Sequence, residues 1–155
     1  MKIKGRTYQP KPEHIAFPRG EDHIGFIISP TVDWTEFDNY YPEPQAPWLT
    51  EPGKDPIRDL KDTDYLADIA KRNESRTAYL IIKSIETTPD LIWDKVDISK
   101  KNTWELWKQE FTDLGLKESE ITKLVNAIYE MTTVDQRKMD AARDAFLLSL
   151  QPVTK

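Results

Sequence analysis

The chain has 155 residues, no cysteine, and 22 Lys/Arg against 27 Asp/Glu, a formal net charge of −5. That length suits one domain with a real core, and the absence of cysteine removes disulfides, thiol nucleophiles and cysteine-based metal sites. Basic and acidic residues number 5 and 7 in residues 1–50, 9 and 11 in 51–100, and 8 and 9 in 101–155, so no stretch offers the basic footprint that a phosphate backbone requires.

The opening MKIKGRTYQPKP lacks the apolar centre of a secretory signal, and the longest unbroken apolar run is Ala78 to Ile82. Both features predict a soluble protein kept in a cytoplasm. Proline then divides the sequence. Nine of its eleven prolines lie between Pro10 and Pro56, which predicts an extended, loop-rich part over 1–60 and a helical part over 61–155 within a single domain. His14 to Phe17 and His23 to Ser29 read as two short strands joined by a turn at Arg19 to Asp22. An isolated hairpin is marginal, so it needs either a third strand, for which Met1 to Gly5 is the candidate, or a helix against one face, for which the long helix is the candidate.

Asp33 followed by Glu36 is a capping signal, and Trp34, Phe37, Tyr40 and Tyr41 recur at helical intervals behind it. A helix of about two turns must dock, either on the core or on a partner. Pro42 to Trp48 holds three prolines and is expected in polyproline geometry, with 42–58 as the most flexible segment.

The stretch Thr63 to Glu86 has no Gly or Pro and carries Leu66, Ile69, Ala70, Thr77, Leu80, Ile81, Ser84 and Ile85 on one helical stripe. Its last third is apolar all the way round, which predicts a central helix covered on more than one side. Three helices come after it. The first has a capping box at Asn102 and Glu105, a stripe of Trp104, Trp107, Phe111 and Leu114, and a stop at Gly115. The second runs from about Glu118 to Met131 with Ile121, Leu124, Val125 and Ile128 inward. Thr133 and Gln136 cap the third, whose stripe is Met139, Ala142, Phe146, Leu147 and Leu150. Short connections predict that these helices fold back on Leu80, Ile82 and Ile85 and that the chain unfolds as one unit. The expected class is therefore α+β, mainly α: an N-terminal hairpin or small sheet on a long central helix, followed by a C-terminal three-helix unit.

Candidate chemistry is sparse. His14 and His23 flank the turn and would make a metal pair only if the hairpin set them opposite one another; the plainer reading is strand-end histidine. Asp55, Asp59, Asp62, Asp64 and Asp68 form an acidic run without the Gly and closing Glu of a calcium loop. Its place at the start of the central helix is explained by the helix dipole. No glycine-rich phosphate loop, nucleophile elbow or zincin-type histidine pair occurs, so no catalytic, cofactor or metal residue is assigned. The last helix balances Arg137, Lys138 and Arg143 against Asp135, Asp140 and Asp144, which disfavours a DNA-recognition helix. Among the tryptophans, Trp104 and Trp107 lie on a stripe and read as core. Trp34 and Trp48 flank the proline segment and either anchor a partner or pack inward.

Several segments together resemble the small tail assembly chaperones of long-tailed bacteriophages: GRTYQPKPEHIAFPRGED at Gly5 to Asp22, FDNYYPEPQAP at Phe37 to Pro47, TAYLIIKSIE at Thr77 to Glu86, the Trp93 to Val96 turn, and TWELWKQEFTDLGLKESEITKLVNAI at Thr103 to Ile128. The chain departs from that pattern at Tyr41, where a Cys is expected, and at Lys117, where a Ser, Thr or Asp cap is expected. The resemblance implies a non-enzymatic holdase of the host bacterial cytoplasm, without cofactors. Such a protein keeps the tape measure protein soluble, helps tail tube subunits polymerise around it, and is absent from the finished particle. Trp34, Phe37, Tyr40, Tyr41 and Trp48 are the candidate partner-binding residues. A small structural component of the tail or head-to-tail connector is the main alternative, and a nucleic-acid-binding regulator a further one. The resemblance also implies a second, frameshifted form, and a homo-oligomer is a further partner class.

Overall fold

In the computed structural model, which describes residues 1–152, a hairpin opens the fold. Strands β1 (Glu13–Arg19) and β2 (Asp22–Ile28) pair antiparallel from Glu13↔Ile28 to Arg19↔Asp22. The two-residue loop turns on Gly20 at φ +62°, the left-handed position that glycine fills without a Cβ penalty. Alternation sets the faces: Phe17, Phe26 and Ile28 are buried while His14, Ala16, His23 and Gly25 face solvent. The edge of β2 is tied to the end of the central helix and the turn after it, with Ser29 N donating to Ser84 O at 2.7 Å and Ile27 N to Thr88 Oγ1 at 2.9 Å.

The candidate third strand does not form. Ile3 and Arg6 bridge one another across a tight turn at Lys4 and Gly5, so the segment satisfies its hydrogen bonds within itself. Residues 42–58, expected as the most flexible segment, hold a second pair of strands. Short strands β3 (Trp48–Leu49) and β4 (Ile57–Arg58) pair as a second ribbon. Arg58 Nη1 fastens it by donating to Ala46 O at 2.7 Å, and Asp59 N by donating to Pro47 O at 2.8 Å.

Between the two ribbons runs helix α1 (Thr35–Tyr40). The expected Asp33 and Glu36 box is only half present: Asp33 Oδ1 accepts from Thr35 N at 2.9 Å, and the N-cap position itself is Trp34. The central helix α2 (Thr63–Ser84) starts at Asp62, whose carboxylate accepts from Tyr65 N at 3.0 Å. Its second half meets the expectation of burial on several sides: Ala78, Tyr79, Leu80, Ile81 and Ile82 are all buried. Its first half does not. Leu66 and Ala70 are exposed and Ile69 is only half covered.

Two cores flank the buried half of α2. On one side Leu80, Ile81 and Ile85 meet Phe17, Phe26 and Ile28 of the sheet together with Phe111, Ile121, Leu124 and Ile128. On the other side Ala78, Tyr79 and Ile82 meet Phe37, Val96 and Trp104. The helix carrying Trp104 opens as a 3-10 segment (Lys101–Leu106) and becomes α-helical only at α3 (Trp107–Leu114). No Asn102 and Glu105 box forms there. Thr103 replaces it, its hydroxyl accepting from Asp97 N at 2.8 Å and donating to Lys100 O at 2.7 Å. Gly115 at φ +106° ends α3, with Leu116 N donating to Phe111 O and Gly115 N to Thr112 O, a Schellman arrangement. This reversal leaves Leu114 exposed and buries Leu116 in the place that the stripe assigned to Leu114.

Helix α4 (Glu118–Thr132) buries Ile121, Leu124 and Ile128 and leaves Val125 half covered. It needs no Ser, Thr or Asp at Lys117, because the Glu120 carboxylate accepts from Lys117 N at 2.9 Å. The same carboxylate takes both terminal nitrogens of Arg19, at 2.6 and 2.9 Å, while Arg19 also donates to Gly115 O. One bidentate pair thus joins the hairpin, the Schellman turn and the first turn of α4.

Helix α5 (Gln136–Ser149) is capped by Asp135 rather than by Thr133, whose hydroxyl donates back to Tyr129 O. It departs most from expectation: none of its residues is buried, and Met139, Phe146, Leu147 and Leu150 are between 51% and 63% exposed. The C-terminal helices come in the expected order, but only the first two pack on α2.

Removing α5 by truncation after Thr133 should leave the unfolding free energy measured in urea within about 0.5 kcal/mol of the full chain, as for surface changes generally. The Glu120 carboxyl is held at about 2 instead of 4.5 by the Arg19 guanidinium and then the Lys117 amide. A carboxyl depressed on folding stabilises above its ordinary range and loses that contribution as pH falls from there through about 2. Glu120→Gln should lower the melting temperature at neutral pH and flatten the acid limb of the stability curve over that window.

Candidate functional site

Of the five aromatic residues expected to bind a partner, four gather in one cluster, and its geometry is that of a core. Phe37 is fully buried, with Tyr79 at 5.4 Å, Trp34 at 5.7 Å and Tyr41 stacked at 5.7 Å between ring centroids. Trp104 closes the cluster, 5.2 Å from both Tyr40 and Tyr79 and 6.2 Å from Phe37. Its indole donates to Ile98 O at 3.2 Å. Tyr79 donates its hydroxyl to Asp33 O at 2.9 Å; burial, reinforced by Glu36 and Asp33, pushes that phenol up to about 12.

The outward rings of this cluster are covered by cations. Arg76 lies 4.3 Å from the Trp34 ring, Lys101 lies 4.5 Å from Tyr41, and Arg72 lies 5.2 Å from Phe37. Arg72 also donates to Tyr41 O and to Asp38, and Lys101 to Tyr40 O. Phe37 cannot touch a partner while α1 stays docked, and Trp34, Tyr40 and Tyr41 are half-buried members of the same packing. They hold α1 to α2.

Trp48 stands apart on the β3–β4 ribbon. It is 58% exposed, with the Arg58 guanidinium 3.9 Å from its ring, beside exposed Leu49 and Ile57. Of the five, it alone presents most of its ring to solvent.

Two concave surfaces border the cores. A groove of about 520 Å³ runs between the Pro30 to Trp34 segment, α2 and the end of α4, with Val32, Trp34, Arg76, Leu80 and Tyr129 in its wall. A smaller cleft of about 240 Å³ lies between Leu91 to Asp94 and α3. Its floor is Phe26, Trp93 and Phe111, exposed Ile92 and Leu114 stand at its edge, and Asp94, Glu110 and Asp113 form its rim.

The residues considered for metal chemistry are not brought together. His14 stands opposite Ile27 and His23 opposite Pro18, so the hairpin does not oppose the two imidazoles. In the acidic run, Asp62 serves as the cap of α2 and Asp59 accepts from Lys61 N. Among the described residues no group of three or more His, Asp or Glu is placed to hold an ion, and no helix is long and apolar enough to cross a membrane.

The surface that sequence reasoning missed is the stripe of α5. Periodicity assigns Met139, Ala142, Phe146, Leu147 and Leu150 to one face, and a periodic stripe shows that a face is covered without showing by what. The available signal was charge density: six ionic residues in the ten positions Asp135 to Asp144 leave that helix little apolar width for a domain interior. Comparison with known proteins found no matching family model, no matching curated protein and no matching solved structure.

The cluster and the ribbon should respond differently to truncation. Phe37→Ala should cost about 3–5 kcal/mol in urea unfolding, as for other buried aromatic deletions. Trp48→Ala should cost less than about 1 kcal/mol, the worth of an exposed cation–π contact.

Proposed function

We propose that this protein is a non-enzymatic chaperone of bacteriophage tail assembly, working in the host bacterial cytoplasm. It lends apolar surface to the tape measure protein, and to tail tube subunits, until they assemble. The single observation that carries this reading is the apolar face of α5, formed by Met139, Phe146, Leu147 and Leu150 and left uncovered by the described residues of its own chain. Contiguous exposed apolar surface on a charged, acidic protein suits an element that meets another polypeptide. A helical stripe suits a partner that is itself helical. The tape measure protein is such a partner in the family that the sequence resembles.

Trp34, Phe37, Tyr40 and Tyr41 serve the interior, so on this reading client contact falls to α5, with the Trp48 ribbon as a second apolar edge. The test is co-expression with a tape measure segment. Phe146→Asp combined with Leu147→Asp should reduce the retained client at least about tenfold, as expected for loss of hot-spot anchors, while the melting temperature of the body stays unchanged. Undiminished capture by that double variant would overturn the assignment to α5.

A further inference from the structure

The opening segment of the chain is chemically unlike the rest. Residues 1–12 form its longest stretch without Asp or Glu and carry Lys2, Lys4, Arg6 and Lys11. All of them are exposed, Ile3 and Arg6 bond only to one another, and among the described residues no hydrogen bond or ion pair ties the segment to the body. Tyr8 is 72% exposed in its extended part. Arg6 and Lys11 lie roughly 7 and 10 Å from it along an extended chain, one on each side. The segment is a basic arm with an aromatic anchor.

The Trp93 cleft is the converse. Asp94, Glu110 and Asp113 rim it, no Lys or Arg lines it, and among the described residues none of the three carboxylates has a cationic partner. Glu110 accepts from the amides of Asp94 and Val96, which fixes the Trp93 loop and shapes the cleft before anything enters it. Its volume of about 240 Å³ is small beside the roughly 300–1,000 Å³ that encloses a drug-sized molecule. It is ample for one aromatic ring, since an apolar cavity of roughly 150 Å³ already takes benzene.

We infer that Tyr8 of one molecule seats in the Trp93 cleft of a second copy, its ring against Trp93 and Phe111, with Arg6 and Lys11 against the Asp94 and Asp113 rim. Charge selects this occupant: the arm is the acid-free part of the chain, and the cleft wall is free of base. The ring meets an aromatic floor, and its hydroxyl can donate to a rim carboxylate. Exchange of both arms closes a two-fold pair. Each half contributes one anchor and a few charges, so the association belongs with the small, weak interfaces. The inference goes beyond the proposed function, because it uses neither α5 nor the Trp48 ribbon.

Sedimentation equilibrium of the full chain, between about 10 and 500 µM, tests it without any client. The expected mass rises to that of two copies, and added salt lowers it. Tyr8→Ala should weaken association at least about tenfold, and so should Arg6→Glu with Lys11→Glu or Asp94→Lys with Asp113→Lys. Melting temperatures matching the parent chain show that each variant is folded. Mixing the two charge-reversed proteins should restore the pair, because each altered arm then finds an altered cleft. A monomer at every concentration overturns the inference, including one whose own arm fills its own cleft. Association that survives deletion of residues 1–12, or a mixture that fails to recover, overturns it as well. None of these outcomes bears on client capture by α5.

Discussion

The five residues Ala78 to Ile82 govern the whole molecule, because a helix that is apolar all round must be enclosed all round. The chain meets that demand with material from both its ends. The hairpin, α3 and α4 close one side, while α1 and the 3-10 segment close the other. Neither core is complete without α2, so substitutions in one are coupled to the other through that helix. This explains why a short aromatic helix and a hairpin of two seven-residue strands, neither able to persist alone, are both ordered.

Polar groups then fix the register that apolar burial leaves loose. Arg19 locks the end of β1 to Glu120 and Gly115. Glu110 accepts from the amides of Asp94 and Val96 and so holds the Trp93 loop on α3. Tyr79 reaches Asp33 O, and Arg72 and Lys101 grip the carbonyls that close α1. These contacts are directional, unlike the hydrophobic contacts they accompany, and they place each loop at one depth.

Much of this arrangement was legible in the residues. The hairpin could be read from alternation around Arg19 to Asp22, the central helix from its Gly- and Pro-free span, and the end of α3 from Gly115. What failed did so for physical reasons. Leu114 and Leu116 exchange roles because a left-handed residue redirects the chain, and a helical wheel drawn through Leu114 ignores that turn. The aromatic run of α1 was correctly expected to dock, but periodicity does not distinguish a core from a partner. Its cationic covers, Arg72, Arg76 and Lys101, come from positions far away in sequence. The same ambiguity governs the stripe of α5, for which no described part of the chain supplies a cover.

The sequential order of the two cores has a consequence for biosynthesis. The aromatic core has all its members once Trp104 has been made, whereas the sheet-facing core lacks its last contributor until Ile128. A chain leaving the ribosome can therefore seat α1 on α2 while the opposite flank, Leu80, Ile81 and Ile85, is still bare. Until α4 emerges, the nascent protein carries a temporary greasy side of its own.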